Sequence, residues 1–360
     1  MIRLSHVAIN RWSKVLVDLM MDENKIGQSE MINRFEYDMA SWLGVKHCIA
    51  VSSGTMADTI ALAVLKHFNP GKDEVLVPAL TFIAQVNAIY YNQLKPVFFD
   101  INPDLSMYLP VDKITKKTLC IFPTHLLGKP VSATDIKQAG TFYKVPVIED
   151  ACEALGSESL LEGVGFRKCG TIGGMGTFSF FPSHTISTGE GGMIATNDDD
   201  YAAIARRLRN HGKTNTQDFH FDLIGFNGKM SSLEAAIGVG FVPHLSGAVE
   251  KRREVFFALG GKENPRIEKI CPHAFPVIAE SRFERDRLLD KLRANGIECR
   301  NLFSSIPTQE QAYAFLGHKL GDFPIAEMIG DRGLYVPSHG GLSQADVFKI
   351  QEVLRAEGPA

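Results

Sequence analysis

The sequence predicts an α/β fold: a large, mainly parallel sheet domain with an N-terminal arm over residues 1–245, and a small C-terminal α+β domain over residues 246–360. Three observations carry this. From about residue 47 to about residue 235, short runs rich in Val, Ile and Phe alternate with helix-length segments, the pattern of a sheet covered on both faces. Several of these runs lead directly into polar or glycine-bearing loops. After Leu245 the pattern changes to charged segments and isolated short strands.

The N-terminal segment, MIRLSHVAINRWSKVLVDLMMDENKIG, spaces its apolar residues as on an amphipathic helix and lacks the unbroken apolar core of a signal peptide. No later stretch approaches the roughly 18 uninterrupted apolar residues of a membrane span, so a cytoplasmic protein without a membrane partner is expected. The strand candidates follow in order: HCIAV, DEVLVP, KPVFFD, TLCIFP, VPVIED, GTFSFF and GGMIAT. Ligands of open α/β sheets gather at the carboxyl ends of strands, which makes the loops SSGT, ALTF, THLLG, ACE and SHTISTGEGG candidates for one shared pocket. Beyond Leu245, KRREV, PHAFPVIAE, the charged helix FERDRLLDKLRANG, IECRNLF and a final helix SQADVFKIQEVLRAEG make up the smaller domain.

Composition excludes several functions. With 45% hydrophobic and 22% charged residues and a formal net charge of -3, the chain has no polyelectrolyte character, and nucleic acid is not an expected partner. The six cysteines (Cys48, Cys120, Cys152, Cys169, Cys271, Cys299) form no C-x-C or C-x-x-C pair. They read as reduced, mostly buried thiols, with no iron–sulfur cluster and no metal site expected.

In SSGTMADTIALAVL, Ser52, Ser53, Gly54 and Thr55 stand between a strand and a helix, where free amides and small side chains suit an anion. Ordinary turns look the same, and the segment alone does not decide between them. VIEDACEALGS ends a strand on Glu149 and Asp150, with Glu153 three residues on. Alternation sends only one of the first two into a pocket, and a helix-capping acid is the competing explanation. A carboxylate at such a place would keep a pyridinium nitrogen protonated, and Phe82 would cover a ring face. GTFSFFPSHTISTGEGG delivers Ser179, Ser183 and His184 into a glycine-rich loop, where a near-neutral imidazole moves protons in both directions. His125, His211 and Arg300 are weaker candidates for contacts with substrate, each with a structural or surface role as its alternative.

Together and in this order, SSGTMADTIAL, PALTFIAQVNAI, EDACEALGS, FSFFPSHTISTGEGGM, GFNGKMSSLEAAIG and IECRNLF resemble the sugar aminotransferase (DegT/DnrJ/EryC1/StrS) family of fold-type-I, aspartate aminotransferase-like enzymes, over nearly the whole chain. The resemblance implies pyridoxal 5′-phosphate or its pyridoxamine form as cofactor. It implies that Gly54, Thr55 and Ser179 hold the phosphate, Phe82 stacks on the ring, Asp150 meets the ring nitrogen and Glu153 the ring hydroxyl. Asn227 matches an asparagine that reaches the phosphate from the other subunit, which implies a homodimer with composite sites. Arg300 is expected near the diphosphate of a nucleotide.

One position departs from that pattern. His184 stands where the family's aminotransferases carry the lysine that bonds the cofactor, and no lysine occurs between Lys168 and Lys213. Histidine here resembles the GDP-4-keto-6-deoxy-D-mannose 3-dehydratase branch. The resemblance implies a dehydratase: His184 shifts a proton from the α-carbon of L-glutamate to the cofactor's C4′, then removes a C4′ proton as the C3 hydroxyl of a nucleotide-linked 4-keto-6-deoxy sugar leaves. Ammonia is released and no external reductant is needed. The alternatives are a transaminase in which histidine is tolerated or engineered, and a binding protein that kept the fold.

Overall fold

The structure, a computed structural model, describes residues 1–7, 9–214 and 219–355. All seven strand candidates enter one sheet. β1 (His47–Val51), β2 (Glu74–Pro78), β3 (Lys95–Phe99), β4 (Thr118–Ile121) and β5 (Ile148–Asp150) precede a hairpin of β6 (Glu158–Leu161) and β7 (Gly165–Lys168); β8 (Met175–Ser179) and β9 (Gly192–Thr196) complete the set. The sheets β3-β2-β4 and β1-β9-β8-β5 are joined by the parallel bridges Ile121–Val147 and Thr124–Asp150, giving the order β3-β2-β4-β5-β8-β9-β1. Within it β9 runs antiparallel to both neighbours.

Alternation along each strand divides the core into two layers. Ile49, Val51 and Ile194 pack on one face, with α3 (Gly54–Phe68) and α4 (Ile83–Tyr91). Cys48, Ala50, Met193, Ala195 and Phe178 pack on the other, against α1 (Arg11–Asp22) and α2 (Glu30–Leu43). Strands covered on both sides are apolar along most of their length, which is why they read as near-continuous runs. α5 (Ala133–Thr141) and α6 (Asp199–Arg209) lie with the first layer, and α7 (Ser232–Phe241) with the second. Helix starts are fixed by side chains: Ser53 accepts from the Met56 amide at 3.1 Å to open α3, and Ser231 and Glu234 form a reciprocal cap on α7. The helical stretch Ser232–Ala258, comprising α7 and α8 (Leu245–Ala258), is long and apolar enough to cross a membrane; here α7 packs against α1 and α2, which accounts for its apolar face.

A third core gathers α9 (Arg282–Ala294), the final helix Gln344–Arg355 and a small sheet in the order β11 (Phe275–Ile278), β13 (Gly333–Val336), β12 (Arg300–Asn301). Chain order and packing part company at both ends of this unit. Ile2 bridges Ile297 and belongs to the third core, while Leu302, Ile306 and Ile329 pack into the first. β10 (Glu268–Lys269) pairs with β6 of the larger unit. The carboxyl ends of β1, β5 and β8 thereby come to face β12 and β13.

Candidate active site

A cavity of about 370 Å³ opens at those strand ends. Ten of the residues singled out in the sequence line it together: Ser53, Gly54, Thr55, Phe82, Asp150, Glu153, Ser179, Ser183, His184 and Arg300. Gly54 begins α3 against β8, and a Cβ there would meet the Ser179 Cβ at 2.8 Å and the Cys152 Sγ at 3.2 Å. Only glycine allows this approach, which leaves amides of the helix start open to the cavity. Phe82, at the N-cap of α4, is 54% exposed, with its ring 5.5 Å from that of Phe303. Arg300 stands on β12, largely in solvent, beside Glu298 at 3.6 Å.

The two adjacent acids of β5 separate as alternation requires. Asp150 enters the cavity, where its carboxylate accepts from the Cys152 amide at 3.1 Å. Burial pushes its pKa above the ordinary carboxylate range. Glu149 points the other way and is wholly enclosed, accepting from the amides of Gly170 (2.9 Å), Ile172 and Gly173 (both 2.7 Å). Glu153 accepts from the Leu127 amide at 2.7 Å, and burial, with the Asp150 charge adding to it, pushes its carboxyl up to about 8.

His184 is half-buried, and its Nδ1 is enclosed with no hydrogen-bond partner. Its ring lies 4.9 Å from that of His273. Beneath both sits Arg252, whose guanidinium donates to the carbonyls of His184 (2.9 Å), Ser183 (3.4 Å), Pro272 (3.1 Å), His273 (3.2 Å) and Ser338 (3.3 Å). Burial first, and then the Arg252 charge, push the His184 imidazole down to about 3, so it is an uncharged proton acceptor at neutral pH. Among the described residues no lysine lines the cavity.

Three further candidates lie outside this chain's cavity, Asn227 being the one expected to act from the other subunit. His125 does not reach the cavity: it is fully buried, its Nδ1 accepting from the Val131 amide at 2.9 Å and its Nε2 lying 3.0 Å from Glu149. An imidazole with one nitrogen accepting and the other donating to a carboxylate is a strut, and a substrate contact is set aside for it. His211 sits in a turn with φ 62° and an exposed side chain, away from this chain's cavity. Asn227 is also outside it, its Oδ1 accepting from the Lys229 Nζ at 2.7 Å. The sequence reading missed Asp58, Cys152, His273 and Tyr335, all of which line the cavity. Asp58 had a signal: it follows Gly54 by four residues and so shares its helix face, an acid among apolar neighbours.

The arrangement fits a small phosphorylated pyridine. It offers a glycine-opened helix start for an anion, an exposed aromatic face, a buried carboxylate, and an imidazole nitrogen with nothing to bond. Comparison with known proteins agrees. The model of the DegT/DnrJ/EryC1/StrS aminotransferase family matches residues 12–355. A GDP-perosamine synthase of Caulobacter vibrioides is 36% identical over 89% of this chain and 88% of its own length. A GDP-4-keto-6-deoxy-D-mannose 3-dehydratase of Yersinia pseudotuberculosis is 29% identical over 90% of each. Among solved structures, the Helicobacter pylori aminotransferase PseC superposes with a TM-score of 0.89 at 23% identity, covering 98% of both chains. The chain belongs to the DegT/DnrJ/EryC1/StrS aminotransferase family and is a pyridoxal-phosphate-dependent enzyme of its nucleotide-sugar kind.

Proposed function

We propose that the enzyme is a 3-dehydratase of a nucleotide-linked 4-keto-6-deoxyhexose, working through the pyridoxamine form of its cofactor with L-glutamate as amino donor and ammonia as by-product. One observation carries this reading: His184, an uncharged imidazole with an unpartnered Nδ1, lines the cavity in place of a lysine. An imidazole cannot hold the cofactor aldehyde as a stable imine and is left to act as acid and base. The similarity to the Yersinia dehydratase supports it.

In this reading Gly54, Thr55 and Ser179 hold the cofactor phosphate, Phe82 covers the ring, Glu153 as a neutral acid donates to the ring hydroxyl, and Asn227 arrives from the partner subunit of a homodimer. Bound there, the cofactor supplies an exchangeable amino group and a ring that accepts electrons from an adjacent carbanion. Asp150 keeps the ring nitrogen protonated. His184 moves a proton between the α-carbon of glutamate and C4′, and takes one from C4′ as the C3 hydroxyl leaves the sugar. Arg300 stands at the rim within reach of a nucleotide's diphosphate.

The identity to the Caulobacter perosamine synthase, higher than that to the dehydratase, favours transamination as a second reading. Incubating the enzyme with pyridoxal phosphate, L-glutamate and GDP-4-keto-6-deoxymannose separates the two. A 3,6-dideoxy-4-keto sugar is expected; a 4-amino sugar as the sole product supports transamination, and absence of 2-oxoglutarate contradicts both.

A further inference from the structure

Asp58 has no part in the reaction described so far, yet it is the most constrained acid in the cavity. It lies on α3, 2% exposed, with carboxylate, Asp150 carboxylate and Cys152 thiol atoms all within 4.8 Å of one another. Its Oδ1 is enclosed and has no partner. The groups facing the pair are Cys152 just after β5 and His125, both acting on Asp150, Glu153, on which the Asp150 charge acts, and the Thr177 hydroxyl from β8 on Asp58. His125 is tied to Glu149, and no lysine or arginine is among them.

Two carboxylates this close, enclosed and without a counter-cation, do not both ionise. We propose that Asp58 is a positioning residue that carries the single proton of the Asp58–Asp150 pair, so that Asp150 presents one fixed negative charge to the cavity and the pair never presents two. The consequence for catalysis, that the ring nitrogen meets a monoanionic pair across the working pH range, rests on the cofactor placement proposed above; the proton count does not. Burial, followed by the Asp150 charge, raises the Asp58 pKa well above the ordinary range, in agreement with the geometry.

The test reads the protein with and without cofactor by infrared spectroscopy and thermal unfolding against pH, independently of product formation. In wild-type enzyme at pH 7 two protonated-carboxyl stretches are expected, one from Glu153 and one from the Asp58–Asp150 pair, and the second disappears in Asp58→Asn while the first stays. Because an acid whose folded pKa is raised loses stability as pH rises from its unfolded value, Tm of Asp58→Asn should gain on wild type progressively above about pH 4. Cofactor Kd should change by less than about threefold. Retention of both stretches in the variant, parallel Tm curves, or a cofactor Kd weakened more than about tenfold would overturn the proposal. So would stoichiometric uptake of Zn²⁺ by wild type and not by the variant, which would make the cluster a metal site. If Asp58→Asn does not fold, Asp150→Asn decides: relieved of its like-charged neighbour, Asp58 should ionise at lower pH, and an unshifted acid band refutes the shared proton. Failure of these tests leaves the product assay untouched, and the reverse holds.

Discussion

His125 and His184 both follow strands of the same sheet on the same side, and both lie in low-dielectric surroundings; they differ in what occupies their ring nitrogens. His125 has one nitrogen accepting from Val131 and the other against Glu149, which is itself bonded by three amides. His184 has an enclosed nitrogen with no partner, and burial, with the Arg252 charge adding to it, keeps the ring uncharged. A milder form of the contrast divides Glu149, which accepts from three amides, from its neighbour Asp150, which accepts from one. Buried polar groups with every bond made hold the fold; those left short mark where a ligand completes them.

The largest expected effect is on chemistry. Replacing His184 by Asn should lower turnover by about 10²–10⁴-fold while cofactor absorbance on the protein stays near wild type. Restored dehydration in that variant would place the base elsewhere. On the satisfied side the effect moves from rate to stability: Glu149→Gln breaks the buried contact with His125 and with the amides, and chemical denaturation should show a loss of about 3–5 kcal/mol. Asp150→Asn, one residue on, should leave stability equal or improved and abolish turnover. A similar stability loss in both variants would erase the distinction.

Glu153 sharpens the comparison through pH. Its carboxyl, raised to about 8, is protonated in the folded enzyme at neutral pH and close to its ordinary value when unfolded. The folded state therefore holds a proton that the unfolded state lacks, and stability falls as pH rises toward 8. Glu153→Gln should remove that slope, with Tm of the variant drawing ahead of wild type between pH 5 and pH 8 and level beyond. The smallest effect is expected at Phe82. Its exchange for Leu keeps apolar cover and loses ring stacking, weakening cofactor binding by about 0.5–1.5 kcal/mol in a titration followed by absorbance.

The contrast also explains what was legible in the sequence. Seven strands were readable because a strand buried on both faces carries a near-continuous apolar run, as Cys48 to Val51 in β1 and Met193 to Ala195 in β9 do. The β6–β7 hairpin was not, since its residues are mostly half-exposed and carry no apolar run. Gly54, Asp150, Ser179 and His184 stood out by ending strands or beginning loops. His125 stood out for the same reason and takes the structural alternative: a polar residue after a strand has the same sequence signature whether it meets a cavity or a neighbouring amide. His273 and Tyr335 gave no signal, because they reach the cavity only through the docking of the smaller unit.

In the proposed dehydration, His184 makes nitrogen a passenger in the reaction. The most direct measurement follows the isotope from ¹⁵N-labelled L-glutamate during turnover of a nucleotide-linked 4-keto-6-deoxy sugar. Label recovered as ammonium, with a nitrogen-free 3-deoxy sugar, is the expected result; label retained in the sugar at C4 would contradict it.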